Sequence, residues 1–423
     1  MKAATSNGHG QSLVRRETTL RGVLRVCAQF VVLTVSACLA LLQAGHAADG
    51  NELPGIGAIQ NGTAGAGVAS PQDSTWAMLN PAGMVELGKR LDLSMEVLFF
   101  TRGADPEGSV IGANPFAGHL EDRTPILIPS FGMVFPLESG AIGTGIFGIQ
   151  GNSTDYKRPR ATLGYLGNGD RRAELQVAKI PISYAHQFDN GWSVGVSLLG
   201  LVSTFRTDTL TLRLRPTRGD WHYDYGLGIG FQASVYKHWE RWAFGATYTS
   251  RQAMQQYGKY EDAIKWNLDW PQKFQAGVAF QATPKLQLLA DYKFIRWSEI
   301  NQLAKKTIQG GLGWDDQNIF KFGMNYRING LWTVRAGYSH GKSAISDEFI
   351  FANALTPAVG EDTVAIGVSH ALNEHSDIHV AYQHTFEVSR EESGKGDLFS
   401  KLGRGTKVNY EEDSLIVQYS YKW

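Results

Sequence analysis

Two patterns in this 423-residue chain have the residue types and spacing to do chemistry. Gly143-Thr144-Gly145-Ile146-Phe147-Gly148 matches the G-x-G-x-x-G turn that cradles a dinucleotide pyrophosphate, and Ser339-His340 sets a hydroxyl beside a base. The glycine turn needs a strand before it and a helix behind it, so that backbone N–H groups converge on phosphate. Here the chain runs on into Gln150-Gly151-Asn152 and another loop, so the glycines read instead as a bulge or a close backbone approach. A nucleophile and its base must meet in space with a third orienting group, whereas neighbours on a strand point to opposite faces. His119, His186, His222, His238, His370, His375, His379 and His384 show no metal-ligand spacing and read as turn, loop and interface residues. No catalytic residue, metal or cofactor is expected.

A third group could recognise a ligand. Lys321, Arg327 and Arg335 fall on one side of adjacent alternating segments, with Asp291 and Lys293 next door. A carboxylate in a partly desolvated interior would gain roughly 1.5–3 kcal/mol from a charge-assisted bond to such a cation. These residues are therefore candidate partners for a ligand head group. The competing reading is that they pair with interior carboxylates or tether a neighbouring part of the chain.

The elements that must position them alternate with period two. At the C-terminus Leu415, Val417, Tyr419, Tyr421 and Trp423 share one face, and Ser414, Gln418, Ser420 and Lys422 the other, with Ile416 the single exception. Leu91, Leu93, Met95, Val97 and Phe99 alternate with Asp92, Ser94 and Glu96 in the same way. Such a pattern turns one set toward lipid and the other toward a polar interior. The pattern predicts strands over 91–101, 124–136, 140–150, 175–187, 191–205, 225–237, 240–251, 266–282, 285–297, 317–328, 331–340, 362–372, 377–387 and 414–423. Tight turns alternate with longer loops (102–123, 151–174, 206–224, 252–265, 298–316, 341–361 and 388–413), as in a transmembrane barrel with short turns in the periplasm. The fold class is thus all-β, a 14-stranded antiparallel transmembrane β-barrel.

Composition agrees. Residues 1–47 read as a secretory signal, with Arg15, Arg16, Arg21 and Arg25 before an apolar core (Ala28 to Leu42) and Gly45-His46-Ala47 at the cleavage site. The residues after Arg15-Arg16 fit a twin-arginine signal poorly. The apolar run past Cys38 argues against a lipoprotein box. Both cysteines, Cys27 and Cys38, lie in this segment, so the mature chain has no thiol. Removing its five basic and one acidic residues from 40 and 40 leaves 35 against 39, with no basic stripe for nucleic acid. No mature run of 18 apolar residues suggests a membrane helix.

Residues 57–87, GAIQNGTAGAGVASPQDSTWAMLNPAGMVEL, are rich in Gly and Ala, poor in charge and too irregular for one helix or strand. This block, with Gly65-Ala66-Gly67, Asp73 and Asn80-Pro81-Ala82-Gly83-Met84, resembles the N-terminal hatch of the FadL/TodX family, outer-membrane channels for long-chain fatty acids and other hydrophobic molecules. The likeness extends through Asp291-Tyr292-Lys293, Arg296-Trp297-Ser298, Trp314-Asp315-Asp316-Gln317 and the two segments after it. It implies a hatch over 48–90 inside a barrel over 91–423, with Gly65, Gly67, Asn80, Pro81, Ala82 and Gly83 as hatch or gate residues. It also implies a kinked third strand that opens the wall sideways, for which Gly143, Gly145 and Gly148 are candidates. In fatty-acid channels of the family, the loops after the fifth and seventh strands form an apolar capture groove. Here 206–224 and 252–265 are short, and Thr207 to Asp220 is polar and Arg-rich.

The expected function is hatch-gated uptake of long-chain fatty acids or related hydrophobic molecules, with lateral release into the membrane. The expected setting is the outer membrane of a Gram-negative bacterium, as a monomer among lipid and lipopolysaccharide. The C-terminal aromatic, preceded by aromatics at every second place, resembles the signal read by the barrel assembly machinery, an expected partner during biogenesis. A static structural plug, a general-diffusion porin, and an adhesin or phage receptor remain as alternatives. The His-x-Ser-x-Gly context of a barrel phospholipase is absent.

Overall fold

The computed structural model describes residues 49–50, 52–105, 120–156, 171–207, 221–261 and 264–423. The reading of residues 1–47 as a signal lies outside these. Fourteen long strands follow one another: β1 (Arg90–Asp105), β2 (Ile126–Leu137), β3 (Gly140–Tyr156), β4 (Arg171–Gln187), β5 (Trp192–Thr207), β6 (Asp224–His238), β7 (Trp242–Thr249), β8 (Lys273–Thr283), β9 (Leu286–Ile295), β10 (Gln317–Arg327), β11 (Trp332–Gly341), β12 (Asp362–Ala371), β13 (Ser376–Glu391) and β14 (Lys407–Lys422). Each pairs antiparallel with the next, and β14 returns to β1 from Arg90↔Lys422 to Asp105↔Lys407. Two short strands, Leu120–Asp122 and Ala253–Met254, extend the long-loop side. Closure removes the free sheet edges that hydrocarbon could not solvate.

All fourteen expected strands are present, and the alternation sorts their faces. Leu415 and Val417 are 44% and 47% exposed on the outer wall, while Ser414 and Gln418 are each 1% exposed inside. Ile416, the one apolar residue on the inner face, is buried with Ala58 and Ala381. Trp192, Trp239, Trp242, Trp332 and Trp423 ring the short-turn rim. Nearer the other rim, Tyr248, Tyr292, Tyr338 and Tyr382 each stand six positions beyond the first residue of β7, β9, β11 and β13. Each hydroxyl donates to the next hairpin arm, at Gln272, Asn318, Asp362 and Asp413. These are the two aromatic girdles of a membrane barrel.

Several boundaries differ from expectation, β3 reaching Tyr156 rather than residue 150 among them, and two have a clear physical reason. The last hairpin is longer, so the expected loop 388–413 shrinks to 392–406. Its upper arms expose Glu387, Glu391 and Lys407, which erases the apolar alternation while the ladder continues. Residues 266–272 are not strand: Pro271 has no N–H to donate, and Trp270 turns inward to 3% exposure.

The lumen is filled by the segment before β1. It forms two short helices, α1 (Gly57–Asn61) and α2 (Trp76–Leu79), then a 3-10 turn at Pro81–Glu86. Its small residues allow backbone to pack directly on the wall. A Cβ on Gly195 of β5 would collide with the Ala82 amide, and one on Gly337 of β11 with the Thr63 carbonyl. The segment is short of regular structure, so inward polar side chains must satisfy its backbone groups. Ser183 donates to Ala77 O, Gln232 to Met78 O, Thr247 to Leu79 O and Gln383 to Asn61 O.

Candidate functional site in the plugged lumen

The plug is pinned at defined points. One carboxylate oxygen of Asp291 accepts from the amides of both Gly67 and Val68, at 2.9 Å each. Gly65 and Gly67 have positive φ (78° and 128°), so this tight turn favours glycine. Asn80 donates through its amide to Val68 O (2.9 Å) and to Val235 O of β6 (3.3 Å). The Ala82 amide donates to Ser234 Oγ, and Gly83 N donates to Asn80 O. Pro81 opens the 3-10 turn, where its missing N–H costs nothing. The hatch residues singled out in the sequence thus share one contact region between plug and wall.

Higher in the lumen, four lysines from four strands converge on the first plug residues. Lys293 Nζ donates to Asp49 Oδ2 (2.7 Å) and Glu52 Oε2 (2.8 Å), Lys321 to Asp49 (2.8 Å) and Pro54 O (2.8 Å), and Lys273 to Glu52 (2.7 Å). Trp270 Nε1 donates to the other Glu52 oxygen. Burial pushes the Glu52 carboxyl up, but the ammonium groups of Lys273, Lys293 and Lys179 together outweigh it and hold it well below its ordinary value of 4.5. The fourth lysine, Lys179 of β4, is 1% exposed and makes no hydrogen bond or ion pair among the described residues. It lines a cavity of about 60 Å³ together with Glu52, Lys273 and Lys293 and with Ile56, Met78 and Leu199.

A larger cavity of about 380 Å³ lies at the long-loop end, with Leu175, Phe205, Leu268, Leu303, Leu312 and Leu355 among its lining. It is walled by segments after β7, β9, β11 and β13 as well as by the ends of β4 and β5. A third, of about 30 Å³, shares Asn152 with this outer cavity and Glu52 and Leu53 with the lysine cavity. The plug's first residues therefore stand between an apolar outer chamber and a cationic inner one.

The wall is interrupted beside them. β2 and β3 pair only from Leu137↔Gly140 to Ser130↔Phe147. Beyond that point β2 continues against β1 and β3 against β4, so the ladder between the two stops. β3 bulges between Gly148 and Gln150, and Leu53 N of the plug donates to Ile149 O at 3.1 Å. Of the expected wall-kink glycines, Gly148 stands at the bulge. Gly143 and Gly145 lie within the intact β2–β3 ladder, where a Cβ on Gly143 would meet Met84 and Ala77.

The three expected head-group residues are not brought together. Lys321 holds Asp49 and Pro54, and Arg335 bonds Ser369 of β12 and Gln72 of the plug. Arg327 is exposed at the short-turn end of β10. Sequence reasoning missed Lys179 and Lys273, although Lys179 alternates inward with Val177 and Ser183. His379 is a lumen residue rather than a turn residue, bonded to Ser369 and Ser420. Ser339 and His340 do diverge: Ser339 is buried inside, and His340 pairs with Asp362 outside.

A closed barrel with an apolar outer wall, two aromatic girdles and a hydrogen-bonded plug defines the class: an outer-membrane transport barrel. Residues 220–423 match the family model described as outer membrane protein transport protein (OMPP1/FadL/TodX), the family that the sequence resembles. Its fold is similar to that of the Pseudomonas putida toluene transporter TodX (TM-score 0.67, 16% identity, 88% of this chain and 99% of that one). It is also similar to a Pseudomonas aeruginosa FadL homologue (TM-score 0.66, 14% identity, 88% and 99%) and to the Ralstonia pickettii toluene transporter TbuX (TM-score 0.63, 17% identity, 88% and 99%). No curated protein matches the chain in sequence. The protein is placed in the outer membrane, with its short turns in the periplasm.

Proposed function

We propose that this protein takes up hydrophobic small molecules carrying an anionic head, of the fatty-acid class, through a hatch-gated route with lateral release into the membrane. The observation that carries this is Lys179, whose buried side-chain nitrogen has no hydrogen bond or ion pair among the described residues and which lines a cavity shared with Ile56, Met78 and Leu199. An isolated buried charge is costly unless it is paired. A ligand carboxylate supplies the missing pair while its chain lies against Ile56, Met78 and Leu199. Capture is assigned to the apolar outer chamber, and exit to the interruption between β2 and β3. Burying acyl carbons is worth roughly 0.8 kcal/mol per CH₂, so eight carbons contribute about 6 kcal/mol. Release therefore needs a moving part, and the plug borders both the lysine cavity and the small cavity next to it. A general-diffusion porin is disfavoured by the packed plug.

The test compares dodecanoate with dodecanol, which has the same chain and no charge. Lys179→Met should weaken dodecanoate binding by about 10-fold or more, the size of one charge-assisted bond, and leave dodecanol unchanged. Equal affinity of the wild type for both ligands would refute the anionic-head reading and leave a channel for neutral compounds.

A further inference from the structure

The carboxylate already in the lysine cluster belongs to the plug. Glu52 Oε2 accepts from Lys273 and Lys293 at 2.7 and 2.8 Å, in the same cavity that Lys179 lines. The cluster contains four lysines, against Asp49, Glu52 and the Asp291 carboxylate that the Gly67 and Val68 amides occupy. The plug's two carboxylates pair with three of the four. The next residue, Leu53, donates its amide to Ile149 O, one position past Gly148 at the bulge where β3 has left β2. Glu52 and Leu53 also border both the small intermediate cavity and the lysine cavity. One dipeptide thus pairs with the lysine cluster, borders two cavities and hydrogen-bonds the bulged wall strand.

We propose that Glu52 is a built-in competitor for the ligand's carboxylate, and that ligand binding proceeds by exchange of one carboxylate for the other. The proposal rests on the anionic-head reading above and adds its regulation. An arriving carboxylate pairs first with Lys179, then takes Lys273 and Lys293 from Glu52. Glu52 leaves the cluster and draws Leu53 from Ile149, which joins the chambers beside the interrupted wall. A neutral ligand cannot drive this exchange, because it offers the lysines nothing in return. With no ligand present, the internal carboxylate keeps the route shut and the cations compensated. Occupancy by Glu52 also lowers the apparent affinity for the ligand by the fraction of time the site is free.

Two measurements test it on the full-length barrel in detergent or liposomes. Glu52→Gln removes the competing charge and should bind dodecanoate about 10-fold more tightly than wild type, with dodecanol unchanged. In the wild type, hydrogen exchange at the Leu53 amide should speed up on saturation with dodecanoate and stay constant with dodecanol. If wild type shows no preference for dodecanoate over dodecanol, the head-group reading itself fails. If that preference holds while Leu53 protection is unchanged on saturation, the exchange is wrong and Glu52 is a fixed structural partner. The wild-type exchange measurement decides the matter even if Glu52→Gln assembles poorly. Weaker dodecanoate binding by a well-assembled Glu52→Gln would also overturn the proposal.

Discussion

Lys321 Nζ lies 2.8 Å from Asp49 Oδ2, and both side chains are buried, at 1% and 0% exposure. This pair joins the tenth strand of the wall to the first described residue of the plug. The same ammonium reaches Pro54 O, so it spans both ends of the segment that carries Glu52. Removing one member of a buried pair leaves the other uncompensated, at about 3–5 kcal/mol, and Lys293 tempers this by also holding Asp49. Lys321→Met should therefore lower the thermal midpoint and raise leakage of small polar solutes in liposome swelling. It should weaken dodecanoate and dodecanol binding alike. A selective loss of dodecanoate would make Lys321 a head-group residue after all.

The Glu52 latch has a defined response to acid. Its folded pKa is held below its ordinary value of 4.5. A depressed carboxyl stabilises the folded arrangement fully above the unfolded value and loses that contribution as pH falls through the folded value. The stability difference between wild type and Glu52→Gln should thus hold from pH 7 to about 5 and shrink as pH falls below the unfolded value of 4.5 toward the depressed folded value. Thermal melts across this range check it. A difference that stays flat down through pH 4.5 and below would show that the Glu52 carboxyl is not shifted and is not held by the lysines.

Most of the barrel was legible because lipid and lumen impose opposite chemistry on successive residues. Leu415, Val417 and Tyr419 had to be apolar, and Ser414, Gln418 and Ser420 could be polar. Legibility ended where that contrast ends. Glu387, Glu391 and Lys407 stand beyond the apolar band, so strand and loop look alike there. The site was less legible for a different reason. Alternation tells which way Lys179, Lys321 or Arg335 points, but not which plug residue meets it. Arg327 has inward parity yet sits at the rim, exposed. Only the path of the plug separates the tethered cations from the unpaired one.

Asn80 closes the plug on itself and on the wall through Val68 O and Val235 O. Asn80→Ala leaves both carbonyls without this donor, and a buried unsatisfied group costs about 1–3 kcal/mol. The plug should loosen without falling out, because Asp291 still holds Gly67 and Val68. The expected result is faster leakage of small solutes in planar-bilayer recordings, with the barrel remaining heat-modifiable on gels. Combining Asn80→Ala with Asp291→Ala should raise leakage more than either change alone, since the two groups act on one turn. Wild-type conductance in the double variant would mean that the lumen is sealed elsewhere.

The interrupted seam between β2 and β3 offers the sharpest test of lateral release. A Cβ placed on Gly148 would lie 3.6 Å from the Cβ of Ile128, within the 3.5–4.5 Å range of a disulfide. The chain's two cysteines, Cys27 and Cys38, both precede the described residues, so an engineered pair has no other thiol among the described residues. Ile128→Cys with Gly148→Cys should oxidise readily and clamp the seam. If cargo leaves through this opening, the oxidised barrel binds dodecanoate with wild-type affinity but no longer delivers it to the membrane, and reduction restores transport. The plug's movement is left free by this bond, because Leu53 holds Ile149 on the lumen side. Undiminished uptake by the fully oxidised protein would move the exit to the periplasmic end of the lumen, past the 3-10 turn at Pro81–Glu86.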